Sequence, residues 1–361
     1  MNAARQTGAA LLTAMLTVTL VATFAAAALW QQWRSVEIET AERQRTQLQW
    51  VLNGALDWAR LILQEDGRDN RVDHLSEPWA LPLQEARLSS FLAADKDNAS
   101  TDDAMEAFLS GQINDQQALL NVRNLVQDGK PYLPAVQAFT RLFERLELPL
   151  PQLLLLVDRL IEVDAPSSDK QNENLNENLN DDKNNVPDTP LKPGRWAQLV
   201  WLGLPADTLQ ALAPYATLLP SPTPLNLNTA SAEVLQAALP GVDLAMAQQM
   251  VAARATAHFK SVNDGFKAAG IGKTPNTAPD AKDFSVSSRY FAVQGRLRLE
   301  ESAVQETSLV DRNGVIVNVI WRERSIPGVV SPPAPGALPP LPPGAEHIPR
   351  PGETGSAASI G

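Results

Sequence analysis

Residues 5–34, RQTGAALLTAMLTVTLVATFAAAALWQQWR, carry no formal charge between the two terminal arginines. Such a stretch exceeds the roughly 20 residues that a helix needs to cross the hydrocarbon core of a bilayer. Three fates are open to it: a secretory signal cut near the alanine run at 25–28, a permanent uncut anchor, or a segment trimmed at its front and retained. Because the stretch is longer than the apolar core of a secretory signal and ends in interfacial tryptophans, it argues against the first fate.

The helical pattern continues well beyond the apolar stretch. Apolar residues recur there at intervals of three and four, at Leu48, Val51, Leu52, Ala55, Trp58, Ala59 and Ile62. This spacing predicts a helix from about Ala9 to Asp66, on the order of 85 Å long, with one half in a membrane and the other packed on protein.

Length and composition limit the classes of function. A chain of 361 residues predicts two folded units with tails. The net charge of −11, with only 30 lysines and arginines, argues against binding to a polyphosphate backbone. With no cysteine, the chain has neither a disulfide framework nor a thiolate metal site.

The rest of the chain is predicted to be helical first and extended later. Helices are expected over 132–163, with a break at Pro149 and Pro151, and in a helical hairpin around Gly241. After residue 284 the period changes to two, and Asn313-Gly314 predicts a two-residue hairpin loop between strands. The Asn/Asp-rich segment 167–190 and the proline-rich tail are predicted to be disordered.

The sequence shows no pattern that favours catalysis. Its three histidines, His74, His258 and His347, do not stand at metal-binding or triad spacing, and we predict them to be surface residues. Nucleophile elbows, phosphate-binding glycine loops and zinc motifs are absent from the sequence. The chain is therefore not expected to be an enzyme.

The hairpin around Gly241 permits a second hypothesis, that of a DNA-binding helix-hairpin-helix module. Asp243 occupies the position of the second glycine of such a module, where its carboxylate would repel a phosphate. A packing role for the hairpin is therefore favoured. A membrane-tethered DNA receptor would need basic side chains near the hairpin, and the available ones are Lys260, Lys267 and Lys273.

Carboxylates around the Asn/Asp-rich segment form the only candidate metal group. They are Glu162, Asp164, Asp181 and Asp182. Several of them could supply oxygen ligands to Ca²⁺, which takes 6–8 such ligands. The alternative, a solvated acidic loop without a metal, is preferred from spacing alone.

With these residues described, the chain resembles the K-class minor pseudopilins of bacterial type II secretion systems over about residues 5–325. RQTGAALLTAML is similar to a prepilin leader, and four further blocks match the family in the same order: DNRVDHLSEPWA, INDQQALLNVRNLV, GRWAQLVWLGLPADTLQALAPYATLLP and LNLNTASAEVL. The chain departs from the family after the helix matching 153–161. There the family has an aspartate-rich, calcium-associated turn, and this chain offers only Glu162 and Asp164 before its Asn-rich insertion.

The resemblance implies how the amino terminus is processed and what the protein assembles with. Prepilin peptidase would cut between Gly8 and Ala9, Ala9 would be N-methylated, and the apolar helix would be retained. Thr13 stands where most pilin-like proteins carry a glutamate that needs the amine of the subunit ahead. The implied place is the pseudopilus tip, in the inner membrane with the bulk in the periplasm, and the implied partners are I- and J-class minor pseudopilins, other pseudopilins and the inner-membrane secretion platform.

The expected fold is α+β: a pilin-like long N-terminal helix packed on an antiparallel sheet, with a large inserted all-α domain containing a helix-hairpin-helix/SAM-like unit. The predicted divisions are a leader (1–8), a transmembrane helix (9–33), the helix extension with the first part of the sheet (34–126), the helical domain (127–283), the last strands (284–325) and the tail (326–361). The competing classes are the DNA receptor and a cell-envelope scaffold that retains residues 1–8.

Overall fold

The computed structural model describes residues 6–69, 72–87, 107–164, 190–271, 279–299 and 302–325. The α-helices of these residues are α1 (Gln6–Asp69), α2 (Leu133–Arg145), α3 (Leu150–Asp164), α4 (Ala206–Leu212), α5 (Ala232–Ala238), α6 (Leu244–Thr256) and α7 (Val262–Ala268). The strands are β1 (Leu83–Arg87), β2 (Ala107–Asp115), β3 (Leu120–Asn121), β4 (Val126–Gln127), β5 (Lys130–Pro131), β6 (Ala216–Thr217), β7 (Leu225–Asn226), β8 (Phe284–Ser285), β9 (Tyr290–Leu299), β10 (Ser302–Asn313) and β11 (Ile316–Ser325).

Five strands form one antiparallel sheet in the order β1-β2-β9-β10-β11. The second half of α1 packs across one face of this sheet. Its buried contact residues recur at intervals of three and four and are Leu52, Leu56, Ala59 and Leu63. The predicted long helix on an antiparallel sheet is thus confirmed, and α1 extends three residues beyond the predicted limit at each end.

The end of α1 lies very close to the β10–β11 hairpin. A Cβ atom added to Gly67 would stand 2.4 Å from the Gly314 carbonyl oxygen. Gly314 itself has φ +60° and is the first residue of a two-residue loop, because Asn313 still pairs with Ile316. The hairpin loop is therefore Gly314-Val315, one residue later than predicted, since the positive φ falls on the first loop residue.

A second unit is mainly helical and has its own core. This helical unit consists of α2–α7, the short strands β3–β8 and the 3₁₀ helix Trp196–Leu202. Its core includes Leu125, Phe139, Leu142, Phe143, Leu156, Leu199, Leu235 and Met250. The apolar residues from Leu120 to Val126, which we predicted to belong with the sheet, pack in this core because 3₁₀ turns at 116–118 and 122–125 lead the chain away from β2.

The helical unit contacts the sheet face opposite to α1. Leu219 packs there with Tyr290, Leu309 and Trp321. Arg195 adds an ion pair with Glu323 and lies over the Trp321 ring. Most of the predicted disordered insertion at 167–190, and the whole predicted tail at 326–361, lie outside the described residues.

Candidate functional site

The first half of α1 projects from the folded part of the chain. Every described side chain from residue 9 to residue 43 is exposed. One 18-residue window of this helix has a mean hydropathy of 2.0, so α1 is long and apolar enough to span a membrane. Arg34 lies over the Trp30 ring at 5.6 Å, an aromatic and cationic pair at the end of the apolar stretch.

The polar side chains of this apolar half satisfy their hydrogen bonds within the helix. Thr13 Oγ1 donates to the carbonyls of Ala9 and Ala10 at 3.1 and 3.0 Å. The hydroxyls of Thr17 and Thr19 make the same kind of bond to carbonyls three and four residues earlier. Because these donors are paired, the threonines do not prevent the helix from lying in lipid.

The predicted processing residues lie inside this helix. Gly8 and Ala9 are part of α1, which begins at Gln6. A cut between them would leave Ala9 as the first residue of the helix. The cut and the methylation remain predictions.

A buried group of polar side chains joins α1, the sheet and the helical unit. We call it the polar junction; it consists of Asp66, Asp73, Asp115, Asn226, Thr229, Ser288 and Arg312. Arg312 on β10 binds Asp66 at the end of α1 and donates to both carboxylate oxygens of Asp73 at 2.5 and 2.7 Å. It also donates to the Ser288 carbonyl at 2.8 Å. One guanidinium therefore connects the helix, the segment after it and the sheet.

Asp115, the last residue of β2, carries the connection into the helical unit. Its Oδ2 accepts hydrogen bonds from the hydroxyls of Ser288 and Thr229, both at 2.6 Å, and from Asn226 Nδ2 at 3.1 Å. Its Oδ1 accepts from the Gln117 amide at 2.8 Å. Asn226 and Thr229 belong to the helical unit, so this carboxylate holds that unit on the end of the sheet.

Burial dominates the electrostatics of the polar junction. It raises the pKa of Asp115 to about 6, against the hydrogen bonds from Ser288 and Thr229, which lower it. Burial also raises the pKa of Asp66 to about 6, helped by the Glu77 carboxylate and opposed by Arg312. The pKa of Asp73 is raised for the same first reason, and Arg312 again opposes the shift.

A turn that precedes β1 supports the polar junction from one side. Glu77 Oε2 accepts from the Trp79 indole at 2.7 Å and from the His74 amide at 2.9 Å. Trp79 in turn packs edge-on against Phe291 at 5.1 Å between ring centroids. Oxygens of Asp66, Asp73 and Glu77 lie within 4.8 Å of one another, and the Arg312 guanidinium binds the two aspartates of this acidic group.

Three of the four family blocks quoted from the sequence contribute residues to the polar junction or to the turn that supports it. Asp73 and Glu77 lie in DNRVDHLSEPWA, Asp115 in INDQQALLNVRNLV, and Asn226 and Thr229 in LNLNTASAEVL. The polar residues of these blocks have no spacing in the sequence that predicts one common site. The arrangement can hold elements together, since its hydroxyls and amides are directed to partners inside the fold.

His74 and His258, which the sequence predicted to be surface residues, lie against each other in the structure. The rings of His74 and His258 are stacked with centroids 4.0 Å apart, and both side chains are half-buried. Burial and the neighbouring His74 lower the pKa of His258. His347 lies outside the described residues.

The hairpin around Gly241 does not present a free helix end to a phosphate. Asp243 Oδ1 accepts from the Met246 amide at 2.8 Å and so caps α6. Of the three lysines named for DNA binding, Lys267 pairs with Asp264, Lys260 is exposed, and Lys273 lies outside the described residues. The structure thus gives the DNA-receptor hypothesis no added support.

The candidate calcium ligands are only partly described. Glu162 pairs with Arg159 at 2.8 Å, and Asp164 pairs with Lys192 at 2.8 Å. Asp181 and Asp182 lie outside the described residues. Whether the four carboxylates converge on a metal remains a prediction.

Together these features define a class of protein: an α+β protein with a pilin-like N-terminal helix, half exposed and apolar, half packed on an antiparallel sheet that carries a helical unit. Two family models described as type II secretion system (T2SS), protein K match residues 118–221 and 225–287. Type II secretion system protein K of Pseudomonas aeruginosa is 29% identical over 329 residues, covering 88% of this chain and 89% of the relative. The Klebsiella pneumoniae protein of the same name is 28% identical, covering 89% and 97%.

The fold also resembles a solved structure. The match is to a chain of the crystal structure of the GspK-GspI-GspJ complex from the enterotoxigenic Escherichia coli type 2 secretion system, with a TM-score of 0.57 and 20% identity. It covers 79% of this chain and 98% of that chain. Both family models and both relatives carry the name type II secretion system protein K, so the comparisons confirm the resemblance of this chain to the K-class minor pseudopilins.

Proposed function

We propose that this minor pseudopilin stands at the tip of the type II secretion pseudopilus, initiates its assembly and supports export of folded proteins across the outer membrane. It is a structural component without enzymatic activity, held by one helix in the inner membrane with its bulk in the periplasm. The observation that carries the proposal is the division of α1: its first half is exposed and apolar, and its second half is buried on the sheet.

The proposed partners are I- and J-class minor pseudopilins, other pseudopilins and the inner-membrane secretion platform. Support comes from the structural neighbour, which was solved in a complex with GspI and GspJ. The hairpin α5–α6 serves packing in this proposal, as part of a helix-hairpin-helix/SAM-like unit of the helical domain at 127–283.

Thr13 supports the place at the tip. Its hydroxyl is bound to the backbone of its own helix, so this position needs no cationic partner from a subunit ahead. A glutamate there would be costly in lipid unless such an amine neutralised it. A subunit with threonine at this position can therefore be the first of the fibre.

The decisive experiment is to determine the N-terminal residue and mass of the protein from membranes of cells with and without prepilin peptidase. We expect N-methylated Ala9 only with the peptidase, and retention of residues 1–8 without it. Gly8→Val should block the cut, whereas Gly54→Val, a matched change further along α1, should leave it intact. A chain that begins at Met1 or near Ala28 in peptidase-containing cells would refute the proposal.

The proposed role has a separate test in secretion. A deletion strain should retain exoproteins in the periplasm, and the full chain purified from membranes should carry I- and J-class pseudopilins. Normal secretion by the deletion strain would contradict the role even if the amino terminus is processed as proposed.

A further inference from the structure

The C-terminal end of α3 combines two sources of negative charge. The last carbonyl groups of a helix form the negative end of its dipole. Asp164, the last residue of α3, adds a carboxylate whose side chain is only 28% exposed. This end of the helix therefore requires a nearby positive charge.

Two cationic side chains of the chain itself lie there. Lys192 Nζ is 2.8 Å from Asp164 Oδ1. The Arg123 side chain, 8% exposed, comes from the 3₁₀ turn 122–125 and places one guanidinium nitrogen 3.9 Å from the same oxygen. Its other terminal guanidinium nitrogen donates to the Pro193 carbonyl at 2.7 Å. Arg123 thus connects the end of α3 to the segment around Pro193.

The described carboxylates do not fit a calcium site. Glu162 and Asp164 are two residues apart on a helix, so their side chains do not face each other. Glu162 instead pairs with Arg159 on the exposed side of α3. A divalent ion at Asp164 would stand beside Arg123 and Lys192, and like charges in a partly buried place repel strongly.

Arg123 has features of a group placed for its charge. Burial lowers the pKa of its guanidinium, and the Asp164 carboxylate raises it. Among the described residues, its Nε and the nitrogen nearest Asp164 have no hydrogen-bond partner. A buried arginine so incompletely bonded is costly to retain, and the nearby carboxylate and helix end are what offset that cost.

We infer that Arg123 and Lys192 supply the positive charge that the C-terminal end of α3 requires, and that Asp164 consequently binds no calcium. Two basic side chains of the chain itself thus occupy the place beside Asp164 that a bound cation would need. The helical unit is thus built to keep its stability without the metal. This inference does not depend on the place of the protein in the pseudopilus.

The test uses the full chain in detergent, with unfolding followed by tryptophan fluorescence in calcium chloride and in chelator. The wild-type midpoint should agree within about 1 °C between the two conditions. Arg123→Met should lower it by about 4–8 °C in both, because the partly buried Asp164 carboxylate and the end of α3 lose a buried positive charge and the Pro193 carbonyl loses its donor. Arg159→Met, which removes the exposed ion pair of the same helix, should change it by no more than about 2 °C.

A double-mutant cycle isolates the pair. Arg123→Met combined with Asp164→Asn should lower the midpoint by less than the sum of the two single changes, since both remove one interaction. Should Arg123→Met fail to fold, Lys192→Met replaces it in the cycle, because Lys192 is largely exposed.

Three results would overturn the inference. One is a calcium-dependent rise of the wild-type midpoint that disappears in Asp164→Asn. Another is equilibrium dialysis in which wild type binds calcium and Asp164→Asn does not. The third is an unfolding midpoint of Arg123→Met equal to that of wild type, which would show that the charge of Arg123 is not required.

Discussion

Arg312 carries an ion pair that is almost entirely withdrawn from water. Its side chain and that of Asp73 are 7% and 3% exposed. Replacing one member of such a pair leaves the other charge buried without compensation. Arg312→Met should therefore lower the free energy of unfolding by about 3–5 kcal/mol, measured by urea unfolding of the full chain in detergent.

The matched control for Arg312 is Arg289, the residue that precedes the neighbouring strand β9. Arg289 binds Asp311 through two nitrogens, but its side chain is 51% exposed. Arg289→Met should lower the free energy of unfolding by no more than about 1 kcal/mol, because water replaces the lost partner. Equal losses in the two variants would contradict a special role for the polar junction.

Asp115 makes stability depend on pH in a definite direction. Its pKa in the folded protein is raised to about 6, whereas an unfolded aspartate has a pKa of about 3.9. Between these values the folded state binds more protons, so stability from this group falls as pH rises from about 4 to about 6. Over that window the free energy of unfolding of wild type should fall by about 1.4 kcal/mol per pH unit relative to that of Asp115→Asn.

Urea unfolding at several pH values tests the titration of Asp115. Both proteins retain Asp66, so its contribution cancels in the comparison. Above about pH 6 the difference between wild type and Asp115→Asn should be constant. Parallel pH profiles throughout the window would show that Asp115 does not titrate there.

At the scale of elements, α1 offers two glycines with opposite expected responses. Gly54 has no atom within 4 Å of an added Cβ, so Gly54→Ala should raise the free energy of unfolding by about 0.5–1 kcal/mol through helix propensity. At Gly67 the same methyl would meet the Gly314 carbonyl at 2.4 Å. Gly67→Ala should therefore cost about 1–3 kcal/mol, because backbone has to move.

Chemical unfolding of both glycine variants under one condition decides this prediction. The opposite signs are its essential part, since helix propensity alone would stabilise both variants. A stabilising Gly67→Ala would mean that the hairpin does not approach the helix end as closely as described.

The long periodic elements could be predicted from sequence, and the short ones could not. The stripe along α1 was found because many residues repeat the same spacing, although Leu56 and Leu63 were missed and Trp58 is 42% exposed. The parallel pair of β7 and β8 has only two residues in each strand. Such short pairs leave no period in the sequence, because tertiary contacts and not local pattern create them.

At the scale of the whole molecule, the polar junction should couple the helical unit to the sheet. Asn226→Leu with Thr229→Val removes the donors of the helical unit to Asp115. Hydrogen exchange in β9 reports the opening free energy of the sheet, and exchange in α2 reports that of the helical unit. In the double variant these two free energies should differ by about 2 kcal/mol. The wild-type protein should show one common opening.

The matched control is a double variant that acts inside the helical unit. Gln152→Leu with Thr208→Val removes a 2.7 Å hydrogen bond between two residues of that unit. It should lower stability without separating the two openings. If both double variants behave alike, the units are coupled by something other than the polar junction.

The polar junction itself could not be located from spacing. Arg312 and Asp66 are 246 residues apart in the chain, and single aspartates and serines carry no motif. The only signal was the order of the family blocks, which contain Asp73, Asp115, Asn226 and Thr229 but not Asp66, Ser288 or Arg312, and which do not say that these segments meet. The apolar first half of α1 was the opposite case, since thirty consecutive residues identify it without any tertiary information.

The position of Arg312 has a mechanical consequence. A traction applied along α1 from its membrane end reaches Asp66 at the far end of the helix, where Arg312 ties it to the sheet and to Asp73. Asp115 then passes the pull to the helical unit through Asn226 and Thr229. The molecule would consequently move as one rigid body when its helix is drawn, with the tension borne by cross-links between side chains as well as by the peptide chain.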